Sequence, residues 1–305
     1  SMAKALTLEV ETLPGNWRRA IDIEALEEHL KKDTKKEIKG ILIIHTETAT
    51  GITNDLPAIR SAIDAADHPG LLIVDTVAAA GTVDYRMDEW GIDVTVGASQ
   101  KGLMMPPGIG IVAAGEKALL ATKESTMPRL YWDWKTRLEA EHYRKFCGTA
   151  PQLMVFGMRE ALNMLFEEGL ENVFERHRVL AAATHAAVEV WGQAGTLSLN
   201  AVEPKERSNG VTTILTSDGI DAGQFRDICR DEMMVGLGGG LGDLNGKAFR
   251  IGHMGDINAP MLYAALSAVE STLGYLNIKY ASGGVTAAIE YITNVKKNET
   301  GPFSF

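Results

Sequence analysis

The chain has 305 residues, 45% of them apolar and 23% charged, enough to bury the core of one large or two medium domains. A formal charge of -10, with acidic and basic residues interspersed, leaves no basic face for a phosphate backbone and argues against nucleic acid as a partner. Cys147 and Cys229, far apart and outside any C-x-x-C pair, argue against a disulfide framework or zinc site and suit a reducing cytoplasm, and no apolar run is long enough to argue for a membrane span.

Residues 21–36 are expected to form an amphipathic helix, because Ile21, Ala25, Leu26 and Leu30 recur at helical spacing between charges. Short β-rich runs follow at Ile41-Leu42-Ile43-Ile44, Leu71-Leu72-Ile73-Val74, Val94-Thr95-Val96 and Ile109-Gly110-Ile111-Val112. Helical stretches such as 56–66 separate them. This alternation implies an α/β fold with a parallel sheet whose functional crevice lies at the carboxyl ends of the strands. His45-Thr46-Glu47-Thr48, Asp75-Thr76 and Ser99-Gln100-Lys101 close the first three strands and can converge there.

After Pro151 the pattern turns to long helices over 152–168 and 170–191. A strand at 211–216, a helix at 222–233, a glycine-rich turn, a strand at 248–253 and two further helices follow. We therefore expect a large domain over 1–168 and a smaller α+β domain over 169–305.

Lys101 stands between an apolar strand and the Pro- and Gly-rich Met104-Met105-Pro106-Pro107-Gly108. Desolvation there disfavours the ammonium form, as Schiff-base chemistry with an aldehyde requires. The plainer reading is a lysine snorkelling from a strand end to water. Asp75 follows four apolar residues and needs a partner for its charge, such as a pyridinium nitrogen, unless it merely caps the next segment. Gly236 to Gly242 invites a dinucleotide-binding reading, but the strand that follows it favours a flexible loop near the substrate.

Ile44-His45-Thr46-Glu47-Thr48-Ala49-Thr50-Gly51, Val74-Asp75-Thr76-Val77 and Gly97-Ala98-Ser99-Gln100-Lys101, in that order and at those intervals, resemble the class V, fold-type I aminotransferases, notably the alanine-glyoxylate and serine-glyoxylate group. Thr149-Ala150-Pro151, Gly238-Gly239-Gly240-Leu241-Gly242 and Gly246-Lys247-Ala248-Phe249-Arg250-Ile251-Gly252-His253 match as well. The resemblance implies pyridoxal 5'-phosphate as cofactor, with Lys101 as its covalent anchor and general base. It further implies Asp75 on the ring nitrogen, Val77 against one ring face, Thr48 near the ring hydroxyl and Gln100 at the phosphate. Thr149 would reach the phosphate of a neighbouring subunit, which makes a homodimer part of the active site. Arg250 would grip the α-carboxylate of a small amino acid or 2-oxo acid through its planar fork. His253, three residues along the same strand, reads as structural.

The family pattern places a phosphate-binding turn and a ring-stacking aromatic residue before the first strand, and neither is found ahead of Lys101. The large domain is thus expected to lack its N-terminal part, and Ser1 before Met2 reads as a residue left by tag removal. Alternatives are a cofactor-free, catalytically silent dimerising protein of the same fold and a cysteine desulfurase-like enzyme, which needs a mobile catalytic cysteine.

Overall fold

The computed structural model describes residues 2–138, 141, 145–146 and 148–298. After a short helix α1 (Met2–Ala5) and an extended segment, α2 (Ile23–Lys32) begins at Asp22, whose carboxylate accepts from the amide of Ala25. The helix is shorter than the sequence periodicity suggests. Asp33 ends it by accepting from the amides of Glu37 and Ile38, which turns the chain into the first strand.

The first sheet has the order β1 (Gly40–Ile44), β4 (Leu71–Asp75), β5 (Val94–Ala98), β6 (Gly110–Ala114). A two-stranded ribbon of β2 (Thr46–Glu47) and β3 (Ile52–Thr53), then α3 (Leu56–Ala65), lie between β1 and β4. Strands β1, β4 and β5 are parallel, as their apolar runs imply, whereas β6 pairs with β5 antiparallel. The reason is covalent reach: the connection from 99 to 109 contains no crossover helix and can only fold back. One face of this sheet packs Ile41, Ile43, Leu72 and Val74 against Leu26 and Leu30 of α2 and Ile59 and Ile63 of α3. The opposite face is open, with Leu42 74% and Val112 53% exposed.

Helices α4 (Glu116–Glu124), α5 (Trp134–Arg137), α6 (Gln152–Glu168) and α7 (Leu170–Trp191) lead to the second sheet. Its order is β7 (Leu197–Leu199), β8 (Val211–Thr216), β10 (Ala248–Gly252), β9 (Gly238–Gly239), all antiparallel. With α8 (Ala222–Asp231), α9 (Ala259–Tyr275) and α10 (Gly284–Asn298), it encloses the larger core. There Phe225 stacks on Phe249 with ring centroids 4.6 Å apart. Trp191 is fully buried and donates its indole N–H to Glu270 at 2.8 Å. Gly284 is required beside it, since a Cβ there would come within 2.1 Å of the indole nitrogen. Among the described residues, no helix is long and apolar enough to cross a membrane.

Candidate active site

The carboxyl edge of the first sheet collects the chemistry. Asp75 ends β4 in register with Ile44 of β1 and Val96 of β5, so the segments leaving all three strands emerge side by side. One oxygen of Asp75 accepts from the amide of Val77 at 2.8 Å, the capping role open to a strand-terminal aspartate. No cation pairs with this carboxylate among the described residues.

Beyond β5 the chain is pinned by Ser99. Its buried hydroxyl donates to Pro106 O at 2.7 Å and accepts from the amide of Ile109, closing the loop that carries Gln100 and Lys101. The turn itself is closed by the Met104 amide on Lys101 O at 2.9 Å, with Met104 in the left-handed region at φ 61°. Gly102 lies so close beneath Ala80 that a Cβ would meet its carbonyl at 2.3 Å, so the lysine turn is pressed directly onto the segment following Asp75. Lys101 is half-buried, and its amine makes no hydrogen bond or ion pair among the described residues. Gln100 is exposed and Val77 half-buried.

Thr48 and Arg250 are joined across the two sheets: the guanidinium donates through Nη1 to Thr48 O at 3.0 Å and through Nε to Gly239 O at 2.7 Å. Burial pushes this guanidinium below its ordinary pKa, against the pull of the nearby Glu47 carboxylate. Within the glycine run, expected to be a loop, Gly238 and Gly239 form the edge strand β9, and Gly238 faces Arg250 so closely that a Cβ would lie 3.1 Å from that of the arginine. Thr149 stands apart, exposed just before α6, with no hydrogen bond to the other candidates. His253 is fully buried between Thr212 and Asn209, a structural position on the far side of the strand from Arg250.

The structure adds residues that the sequence reading passed over. A strap at 16–21 ties the sheets together. Arg18 donates to Asn200 O and Leu199 O, Arg19 makes a two-pronged pair with Glu206 at 3.1 Å, and Trp17 lies against Gly242. Buried Asn200 bridges Trp17 O and Thr50 O with its amide nitrogen. Below the edge, His45 is enclosed by Tyr85 and Trp90, and burial lowers its pKa to about 4. Apart from His45, which stands in the stretch Ile44 to Gly51 quoted above, none of these lies in a recognisable local motif; each acts through partners distant in sequence. Of the cysteines, Cys147 lies outside the described residues, and Cys229 is buried on α8 with its thiol pKa raised by that burial, which does not suit a mobile nucleophile.

Residues 1–240 match the family described as Aminotransferase class-V. The chain belongs to the class V aminotransferases. It is 40% identical over 297 residues to a serine--glyoxylate aminotransferase of Methylorubrum extorquens, covering 95% of this chain and 73% of that protein. It is 37% identical to an L-aspartate--glyoxylate aminotransferase of Paracoccus denitrificans, over 93% of this chain and 71% of that one. The fold matches the crystal structure of ureidoglycine-glyoxylate aminotransferase from Bacillus subtilis with a TM-score of 0.85 and 29% identity, covering 96% of this chain and 74% of that chain. Class V aminotransferases use pyridoxal phosphate, and the site fits that group on its own chemistry. An amine and a carboxylate, neither ion-paired among the described residues, share one half-buried strand edge, where an aldehyde and a pyridinium nitrogen find their complements.

Proposed function

We propose that this class V aminotransferase moves the amino group of a small amino acid, such as serine, alanine or aspartate, to glyoxylate or a similar 2-oxo acid. The observation that carries the reading is the hydrogen bond from Arg250 to Thr48 O, which ties a carboxylate-binding guanidinium to the edge that bears Lys101. The glyoxylate-directed names of the two relatives support the substrate class.

Bound at this edge, pyridoxal phosphate supplies an electron sink that stabilises negative charge at the substrate's Cα. Lys101 would hold it and would serve as the base that takes the proton from the substrate's Cα. Asp75 would hold the ring nitrogen, and its charge would keep that nitrogen protonated. Val77 would pack on the ring, Thr48 would stand near its hydroxyl and Gln100 would serve the phosphate. Arg250 turns from its carbonyl partners to the substrate carboxylate, a stronger charge-assisted acceptor.

Thr149 belongs to the phosphate site of a second copy in a homodimer. Its exposure supports this, as does the apolar surface of the adjoining helix α6, where Leu153 is 87% and Phe156 67% exposed. The division into domains at 168/169 falls at Gly169, whose φ of 86° separates α6 from α7. A cytoplasmic location, which two cysteines far apart in sequence and outside any C-x-x-C pair suit, belongs to the same reading.

The test is the visible spectrum of the purified protein with added pyridoxal phosphate, beside Lys101→Ala. A pH-sensitive band in the wild type, absent from the variant, is expected. Transamination to glyoxylate should fall ~10³-fold or more with the general base removed. A band that survives the substitution would sink the assignment of Lys101.

A further inference from the structure

Helix α7 carries two consecutive buried residues, Arg176 and His177, which the chemistry proposed above leaves without a task. Both reach the same glycine. Arg176 is held by Glu168 through a two-pronged pair at 2.6 and 2.8 Å, and its Nη1 donates to Gly255 O at 2.8 Å and Ile257 O at 3.2 Å. His177 Nε2 accepts from the Gly255 amide at 3.1 Å, while Nδ1 donates to Val173 O at 2.7 Å. These partners fix the tautomer: the proton is on Nδ1, because a carbonyl can only accept and the Gly255 N–H can only donate. Burial lowers the pKa of His177 to about 4, which keeps Nε2 a free acceptor at neutral pH.

Gly255 is thus held at both of its backbone groups, in a left-handed conformation of φ 91°. On its open side lies the lysine turn: a Cβ at Gly255 would stand 3.7 Å from Met104 Cγ and 3.8 Å from Lys101 O, ordinary packing distances. The neighbouring Met254 reaches Gly210, which in turn abuts Ala78 and Thr82 in the segment after Asp75.

We propose that Arg176 and His177 are positioning residues for the reactive lysine, holding the Gly255 loop as a backstop against the Lys101 turn. The functional sense of this inference rests on the role given above to Lys101; the mechanical coupling does not. Rigidity matters there, because a displacement of about 1 Å in a reacting group costs on the order of 10²-fold in rate.

The test compares His177→Leu, which removes the acceptor, with His177→Gln, which restores one near the position of Nε2. Residue-resolved amide hydrogen exchange is read at Gly255, at Met104 and Met105 in the lysine turn, and at Ile214 as a core reference. In the leucine variant, Gly255, Met104 and Met105 should exchange roughly fivefold faster or more, with Ile214 unchanged and the glutamine variant close to wild type. Loosening of Gly255 with Met104 and Met105 unmoved would overturn the proposal, as would a glutamine variant as perturbed as leucine. If the leucine variant does not fold, Arg176→Lys, which cannot span both carbonyls, is read by the same two outcomes. Borohydride reduction with pyridoxal phosphate then tests the chemical role separately. Labelling of Lys101 should slow roughly tenfold in the leucine variant and recover in the glutamine variant, and labelling at the wild-type rate in both would overturn the positioning role. A wild type that labels elsewhere would remove the assignment of Lys101 and leave the exchange result to decide the coupling.

Discussion

The two sheets are both built of four short strands, yet they sit in different surroundings. The second sheet has helices laid against it, and its Phe249 is buried against Phe225 of α8. The first is covered on one face only, by α2 and α3, and shows water Leu42, Ile44, Val96 and Val112 on the other. Alternation along a strand says which residues share a face; it does not say whether that face has a partner. The apolar pattern in the first hundred residues therefore belongs to a sheet with one covered face and one open one, and the larger buried cluster lies in the second half.

That contrast can be broken by mutation. Phe249→Ala should destabilise by about 3–5 kcal/mol in urea unfolding, the range for truncating a buried aromatic residue; a loss under about 1 kcal/mol would show that the second core is loosely packed. Acid supplies the next largest effect. Burial lowers the folded pKa of His177, His253 and His45 to about 4, below the ordinary value of 6.5. The unfolded chain therefore binds more protons between those values, and stability is complete above about pH 6.5 and lost as pH falls toward 4. Unfolding at pH 5 against pH 7.5 should show a loss on the order of 1–2 kcal/mol per buried histidine. Because His253 is fully buried, His253→Asn should flatten the profile more than the same change at His29, which is half-buried and paired with Glu11. Asp33, held below the usual carboxylate range by the amides of Ile38 and Glu37 and by His68, acts in the same direction at lower pH.

Between the sheets, Arg250→Lys keeps the charge but loses the fork that spans Gly239 O and Thr48 O. The KM for the amino donor should rise roughly tenfold, with a smaller change in kcat; an equal fall in kcat would place the arginine in the chemical step. The smallest effect belongs to the open face. Leu42→Thr should change stability by less than about 0.5 kcal/mol. A larger loss would mean that this face is covered in solution.

Much of this site could be read from the sequence because its parts stand at strand ends. Asp75 closes a run of four apolar residues and Lys101 comes three residues after the strand ending at Ala98, and a parallel sheet brings such ends together whatever the loops do. The long helices were equally plain, since 152–168 and 170–191 carry sustained helical patterning up to the break at Gly169. The antiparallel course of β6 was missed because four apolar residues look alike in either direction; only the length of the connection distinguishes them. Arg176 and His177 were hidden for another reason. Within a helical stretch the run Glu175-Arg176-His177-Arg178 looks like a solvated charged face, and its inner pair is revealed only by the loop 79 residues further on that they hold. Trp17 and Asn200 escaped in the same way, since they meet each other across 183 residues of sequence.

The strap at 16–21 has a consequence in time. Ala20 N–H and the Arg19 guanidinium both end on Glu206, 186 and 187 residues later in the chain. At synthesis rates of roughly 5–20 residues per second, the strap emerges some 10–40 s before its partner exists. Arg19 and Ala20 must spend that interval without their partner while the first sheet forms behind them, so the joint between the sheets closes only once Glu206 has emerged.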